Sequence, residues 1–469
     1  MSNPQLSTLC SGRFRIGQLL MAVAFFGALR CEADLVGDWS TYGGGPTHSG
    51  YFPGSLNGSS LVLKWTAPMP NFNILQPVTG GGRVFVSVGW YFGAMSLRAL
   101  DANTGQSLWS NELGSAQAIN PPTYDNGAVF VEMISPSATY RFDAATGTKN
   151  WSMGFTSQAT SYMAPIAVDG TVYAATGYYT ELTAYNQANG SQQFSVGLIG
   201  NGCDAWTPAF YNGKIYTWVN GLFTEHDPFA GSRNWTLTNA TSSEFLYSMN
   251  RTIAIADGRA YFTSTTHLMA VDLAQKTNLW QVQGSFSGTP AVANGKVYAI
   301  CDGLVRAYTT DGGYVNTYSG TNGSSFSGQL IVTDDVLFAA GDYGVYVFKL
   351  ADAKVQQYIT SFRTPCYCYR SSTISLANNT LYIASGDSNV YAYSAESPLQ
   401  LTLDTSGSGN QINLRWASEA GRTYYVLFST NLYTSAFARI STNVATPPIN
   451  VLSIPRGNSS EGFYRLQAQ

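Results

Sequence analysis

A two-residue turn recurs eight times along this chain at nearly even spacing. The pairs are Gly81-Gly82, Asn126-Gly127, Asp169-Gly170, Asn212-Gly213, Asp257-Gly258, Asn294-Gly295, Asp334-Asp335 and Asn378-Asn379, 37 to 45 residues apart. Asn-Gly and Asp-Gly are the pairs a tight hairpin asks for, because both central residues take positive φ. The flanking segments alternate, as in Thr171-Val172-Tyr173 and Lys296-Val297-Tyr298, with the period of two that marks strands.

About twenty residues after each hairpin comes a second signal. It reads Ala99-Leu100-Asp101-Ala102-Asn103-Thr104-Gly105, then Leu108-Trp109. It returns as Phe142-Asp143 through Gly147 with Trp151, and as Ala184-Tyr185-Asn186 with Gly190 and Phe194. Asp227, Gly231 and Trp235 follow, then Val271-Asp272 with Trp280. Ala307-Tyr308 with Tyr318 and Val347-Phe348 with Tyr358 are weaker copies. The Asp or Asn closes a side-chain turn and the Gly supplies a left-handed residue. The aromatic then falls on a fourth strand, placed to wedge against the next unit.

Each unit is therefore four short strands in about 42 residues. One such sheet cannot bury both faces alone, but units repeated about an axis can. The prediction is an all-β chain with an eight-bladed β-propeller of four-stranded blades over residues 60–396; seven blades and a fragment is the alternative count. The eighth unit ends at Val390-Tyr391-Ala392-Tyr393 without an outer aromatic strand. An orphan strand, Leu61-Val62-Leu63-Lys64-Trp65, precedes the first unit. The two ends are expected to share a blade. After Pro398 the period stops. Six strand candidates, including Gln411–Trp416, Thr423–Ser429 and Gly462–Leu466, predict a small β-sandwich over 398–469 with Trp416 and Phe463 in its core.

Composition narrows the function. Charged residues are 11% of the 469 and the net charge is -3, so the chain lacks the basic footprint of a nucleic-acid binder. Its three histidines, His48, His226 and His267, have no ligand spacing, which argues against a His-rich metal centre. Arg13 and Arg15 precede an apolar run, Leu19–Leu29, and small residues stand at the -3 and -1 positions before Asp34. This reads as a signal peptide over 1–33, its core too short to span a bilayer. The rival reading, a lipoprotein anchored through Cys31, is opposed by Arg30, where a small residue is wanted. The mature chain would keep Cys203, Cys301, Cys366 and Cys368. In an oxidising compartment Cys301, Cys366 and Cys368 are the disulfide candidates. No bridge is expected from Cys203 to Cys366 or Cys368, since those blades face each other across the axis, beyond the reach of a disulfide.

The run Asp-Ala-x-Thr-Gly-x-x-x-x-Trp resembles the tryptophan-docking repeat of the bacterial pyrroloquinoline-quinone (PQQ)-like propellers. The lead-in over 34–59, with Asp38-Trp39-Ser40, Gly43-Gly44-Gly45-Pro46 and Gly50-Tyr51, is similar to the segment before such propellers in secreted proteins. That family holds quinoprotein dehydrogenases and the non-enzymatic outer-membrane assembly factor BamB. For the dehydrogenases the resemblance implies two adjacent cysteines over the quinone, a Trp floor, and calcium held by Glu, Asn and Asp beside an Asp base. This chain has no Cys-Cys pair; Cys366-Tyr367-Cys368 is its nearest approach. It also lacks that branch's long inserts. PQQ and calcium are accordingly not expected, nor is catalysis.

The repeat also orients the loops. The tight hairpins point to one face. The loops between second and third strands, and the crossovers between units, point to the other, called here the upper face. That face collects aromatics and little net charge, a surface suited to sugars or peptide segments. Its candidate ligand-binding residues are Trp90, Tyr91, Tyr179, Trp206, Trp218, Tyr369 and Arg370. The expectation is a secreted or periplasmic, monomeric scaffold binding a protein or polysaccharide partner, with no nucleic acid and no transmembrane segment. A BamB-like assembly scaffold and a PQQ-dependent dehydrogenase are the alternatives.

Overall fold

The computed structural model describes residues 37–56, 61–89, 91–156, 163–177, 180–198, 206–219, 221–238, 251–321, 325–341, 343–360, 374–395, 401–404, 411–418, 423–430, 437–446, 449–455 and 462–468. Among them every regular element is a β-strand. The segment 1–33, expected to be a signal peptide, lies outside the described residues.

Eight antiparallel sheets follow the repeat, seven with four strands and one with a short fifth. The first consists of Val78–Gly80, Arg83–Gly89, Ala94–Asp101 and Ser107–Ser115. The second spans 118–154, the third 166–197, the fifth 254–283, the sixth 286–318 and the seventh 326–360. The fourth is Ala209–Tyr211, Lys214–Val219, Leu222–His226 and Arg233–Thr238. In the eighth, 374–395 gives three strands and the outer one is Leu61–Pro68, which pairs with Asn389–Ala395 from Leu61↔Ala395 to Pro68↔Asn389. The shared sheet predicted from the orphan strand is thus present. The first strands of successive sheets touch in order, and the eighth touches the first. The sheets therefore stand round one axis, as in a β-propeller.

The hairpins show why the turn pairs recur. Asn126 and Gly127 take φ of 45° and 81°, and Asp169 and Gly170 take 51° and 78°. The seventh turn differs. Asp334 and Asp335 stay out of the left-handed region, where two acids would be strained. Thr333 closes that turn instead, its N–H donating to Val336 O at 2.9 Å and its Oγ1 accepting from Val336 N at 3.0 Å.

The second signal builds the contacts between sheets. Asp101 Oδ1 accepts from the backbone N–H of Asn103 at 3.0 Å and Thr104 at 2.9 Å, and Asp143 repeats this with Ala145 and Thr146. The turn leaves Gly105 and Gly147 at φ 72°. On each lies an indole from the preceding sheet: a Cβ there would stand 2.5 Å from Trp65 and 2.7 Å from Trp109. The indole N–H then donates to a carbonyl of the receiving sheet. Trp65 reaches Ala102 O at 3.0 Å, Trp109 reaches Ala144 O at 3.0 Å, Trp151 reaches Gln187 O at 2.9 Å and Trp280 reaches Thr310 O at 2.8 Å. Trp65, on the shared sheet, docks on the first sheet just as the internal tryptophans dock on theirs.

The lead-in has no repeat, and it meets nearly every sheet. Trp39, Tyr42 and His48 are buried. Tyr124 N–H donates to Ser40 O at 2.8 Å, Phe210 to Pro46 at 2.8 Å, Ile255 to Thr47 at 2.9 Å, Val292 to Ser49 at 2.7 Å and Val332 to Gly50 at 2.8 Å. These donors sit on first strands close to the tight hairpins. The lead-in thus pairs the inner strand edges and lies across the axis at the hairpin face, where those edges would otherwise be open.

Residues 402–468 form two three-stranded sheets. Leu414, Trp416, Tyr424 and Val426 are their buried core. Trp416 is where the sequence puts it. Phe463 is not: it is half-buried and outside the cluster, while Tyr464 and Leu466 of the same strand pack inward. Alternation along a strand allows only one of the two sets to face the core.

Candidate functional site

The upper face takes its shape from the loops between second and third strands. In the first sheet this loop carries Tyr91 and Phe92, whose rings meet edge-to-face with centroids 4.5 Å apart. Tyr91 is 49% and Phe92 60% exposed. Phe92 has φ 54°, a conformation that costs a bulky residue of the order of 1–2 kcal/mol. In the seventh sheet Tyr343 stands 67% exposed on the corresponding loop, its carbonyl accepting from Tyr358 OH at 3.0 Å. In the eighth, Asp387 Oδ2 accepts from Tyr391 OH at 2.5 Å, while its Oδ1 is buried with no hydrogen-bond partner among the described residues. Phe92 and Tyr343 were not singled out from the sequence. Each is one aromatic among many, and only a positive φ or a high exposure sets it apart.

The other candidates are distributed differently. Trp206 and Trp218 are buried, 3% and 7% exposed. Trp206 joins the core between the third and fourth sheets. Trp218 packs on Phe262 at 4.4 Å and donates its indole N–H to Thr263 O at 3.1 Å. Both rings are inter-sheet packing, and neither meets solvent with Tyr91. Trp90, Tyr179, Tyr369 and Arg370 lie outside the described residues, as do Cys203, Cys366 and Cys368. Cys301 is buried with a free thiol, Sγ 3.6 Å from Asp302 Oδ2, and burial pushes its pKa up.

The titratable groups elsewhere are held in structure. His48 is fully buried, its Nδ1 2.5 Å from Tyr42 O and its Nε2 2.8 Å from Pro208 O. Two carbonyls favour the cation, but burial outweighs them and the pKa is lowered. His226 is buried between Thr217 Oγ1 at 3.0 Å and Gly231 O at 3.1 Å, and burial lowers its pKa too. Glu132 is raised to about 8 by burial. Among the described residues no three His, Cys, Asp or Glu side chains gather to hold a metal ion, and no helix is long and apolar enough to cross a membrane.

Sheets closed round an axis, with docked indoles between them and side chains offered on one rim, define a β-propeller of the PQQ-like kind. The chain belongs to the family described as outer membrane protein assembly factor BamB, whose model matches residues 62–282 and again 181–401. No curated protein matches the sequence. Three solved structures share the fold at low identity. BamB from Moraxella catarrhalis is 13% identical, with a TM-score of 0.58 over 71% of this chain and 100% of its own. A europium-containing methanol dehydrogenase is 11% identical, with 0.58 over 76% and 98%. The quinohemoprotein alcohol dehydrogenase from Comamonas testosteroni is 13% identical, with 0.59 over 80% and 83%.

Proposed function

We propose that the chain is a secreted or periplasmic, non-catalytic binding scaffold whose eight sheets act as the eight blades of a rigid disc, presenting upper-face loops to a protein or glycan partner. The observation that carries this reading is the Tyr91–Phe92 pair. Two large rings are held out in solvent, one of them in a backbone conformation that favours glycine. Strain kept at an exposed aromatic returns little packing beyond the contact with Tyr91, and aromatic rims of this type suit sugar faces and peptide segments. The family's description points to an outer-membrane assembly scaffold as the second reading. The likeness to two dehydrogenases keeps a quinone-dependent oxidoreductase as the third, opposed by the lack of an adjacent cysteine pair in the sequence.

The test uses Phe92→Gly and Tyr91→Ala in the mature chain, on glycan arrays and in crosslinked pull-downs. Phe92→Gly removes strain, so its melting temperature is expected to hold or rise while partner capture falls about tenfold or more. Capture unchanged in both variants would move the binding surface elsewhere. Reduction of a dye by an alcohol in the presence of PQQ and calcium would replace the reading with the third.

A further inference from the structure

A cavity of about 330 Å³ lies between the third and fourth sheets. Its walls are Val196 and Leu198 from one side and Val219 and Leu222 from the other. Thr217, Thr224 and His226 form a buried polar row along the fourth sheet, and Arg233 stands exposed at the rim.

The repeat shows how unusual this face is. Strand register gives the equivalent positions in the other sheets. Thr217, opposite Thr224, corresponds to Val86, Val131, Ala174, Phe262, Ala299, Ala339 and Ile383. His226, opposite Ile215, corresponds to Leu100, Phe142, Tyr185, Val271, Tyr308, Phe348 and Tyr393. Where Thr224 stands, five of the seven other sheets carry Arg98, Tyr140, Arg306, Tyr346 or Tyr391, long side chains that the fourth sheet omits. The docking aromatic here is Phe194, which has no N–H to give, and the carbonyl of Pro228 accepts from Tyr173 OH at 3.1 Å instead. Three polar residues at packing positions and one lost side-chain volume fall in a single interface, and the cavity is there.

We propose that this cavity is a ligand site for a small monocarboxylate with a compact apolar body. The apolar body fits the Val and Leu walls, at the lower end of the usual volume of ligand pockets. The Thr217 hydroxyl donates to His226 Nε2, since Nδ1–H is committed to Gly231 O, so this pair keeps no free donor for an anion inside the cavity. Among the described residues Arg233 is the one cationic side chain lining the cavity, and no acid lines it beside Arg233, so the carboxylate belongs at the rim. The site is separate from the upper-face loops and does not rest on them.

The probes are benzoate and its neutral analogue benzamide, titrated calorimetrically into the mature chain. Benzoate is expected to bind one to one, and more tightly than benzamide. Arg233→Gln, a surface change, should weaken benzoate about three- to tenfold and leave benzamide unaltered. Thr224→Met, which borrows the residue of the fifth sheet, Met269, should fill the cavity and abolish binding of both. Thr217→Ala, which borrows Ala174, controls for misfolding: it keeps the cavity open and should weaken rather than abolish binding. No saturable benzoate binding, or binding that survives Thr224→Met unchanged, would overturn the proposal.

Discussion

Glu132 is an acid in a position where the equivalent residues are Ser87, Ala175, Trp218, Thr263, Ile300, Ala340 and Ala384. It is 1% exposed, and its carboxyl accepts from Asn120 Nδ2 at 3.1 Å and Thr139 Oγ1 at 3.4 Å. Burial dominates and raises its pKa to about 8. The folded chain therefore holds a proton that the unfolded chain releases near the ordinary value of 4.5. Stability from this group is full below that value and is lost as pH rises through about 8. Glu132→Gln keeps the shape without the charge. Its melting temperature should match the wild type at pH 4 and exceed it by a few degrees at pH 9; equal melts at both would show that Glu132 ionises freely in the fold. The acid is visible in an alignment of the repeats, but its neutral state is not, because that comes from burial in the closed fold, against the pull of Asn120 and Thr139 towards the charged form. His48 makes the same point: it looks like a lone histidine until Tyr42 O and Pro208 O are brought to its two nitrogens.

At the scale of the strand and turn, the sequence is most legible where one residue type solves one geometric problem. The paired turns and the Asp-to-Gly run could be read in advance because φ and an Asx turn admit few residues. The docking partner of each indole was less legible, since the receiving carbonyl lies some 30 to 37 residues further on. Two glycines separate the causes. Gly170 has φ 78° and open space where a Cβ would go; Gly147 has φ 72° and Trp109 at 2.7 Å. Gly170→Ala should cost about 1 kcal/mol, the conformational penalty alone. Gly147→Ala must also displace the indole and should cost at least twice as much, about 2–4 kcal/mol. Denaturant melts measure the difference, and a shift in indole fluorescence should accompany only Gly147→Ala. Equal costs would mean that the docked ring contributes nothing beyond the turn.

Across the whole molecule, closure of the ring has two agents of different kinds. One is the shared sheet, foreseen because Leu61–Trp65 lacks a unit of its own. The other is the lead-in. It could be seen as a segment but not as a seal, since its backbone partners stand as far off as Val332 is from Gly50 and follow no period. Its carbonyls take the inner N–H groups of Tyr124, Phe210, Ile255, Val292 and Val332. Those groups belong to five different sheets, so one short segment ties together units that the docked aromatics join only pairwise. A chain without residues 37–54 should keep its sheets, because each retains its own ladder and its contacts with its neighbours through the docked aromatics. It should lose protection at those five amides, which then face an open axial channel. Hydrogen exchange read by peptide mass spectrometry tests this directly. Exchange should accelerate at the five inner-strand amides while the second and third strands of the same sheets, such as Lys296–Cys301 and Leu304–Thr309, stay protected. If protection falls everywhere together, the lead-in is part of one cooperative unit with the ring. If it falls nowhere, the inner edges are satisfied without it, and the sealing role is refuted.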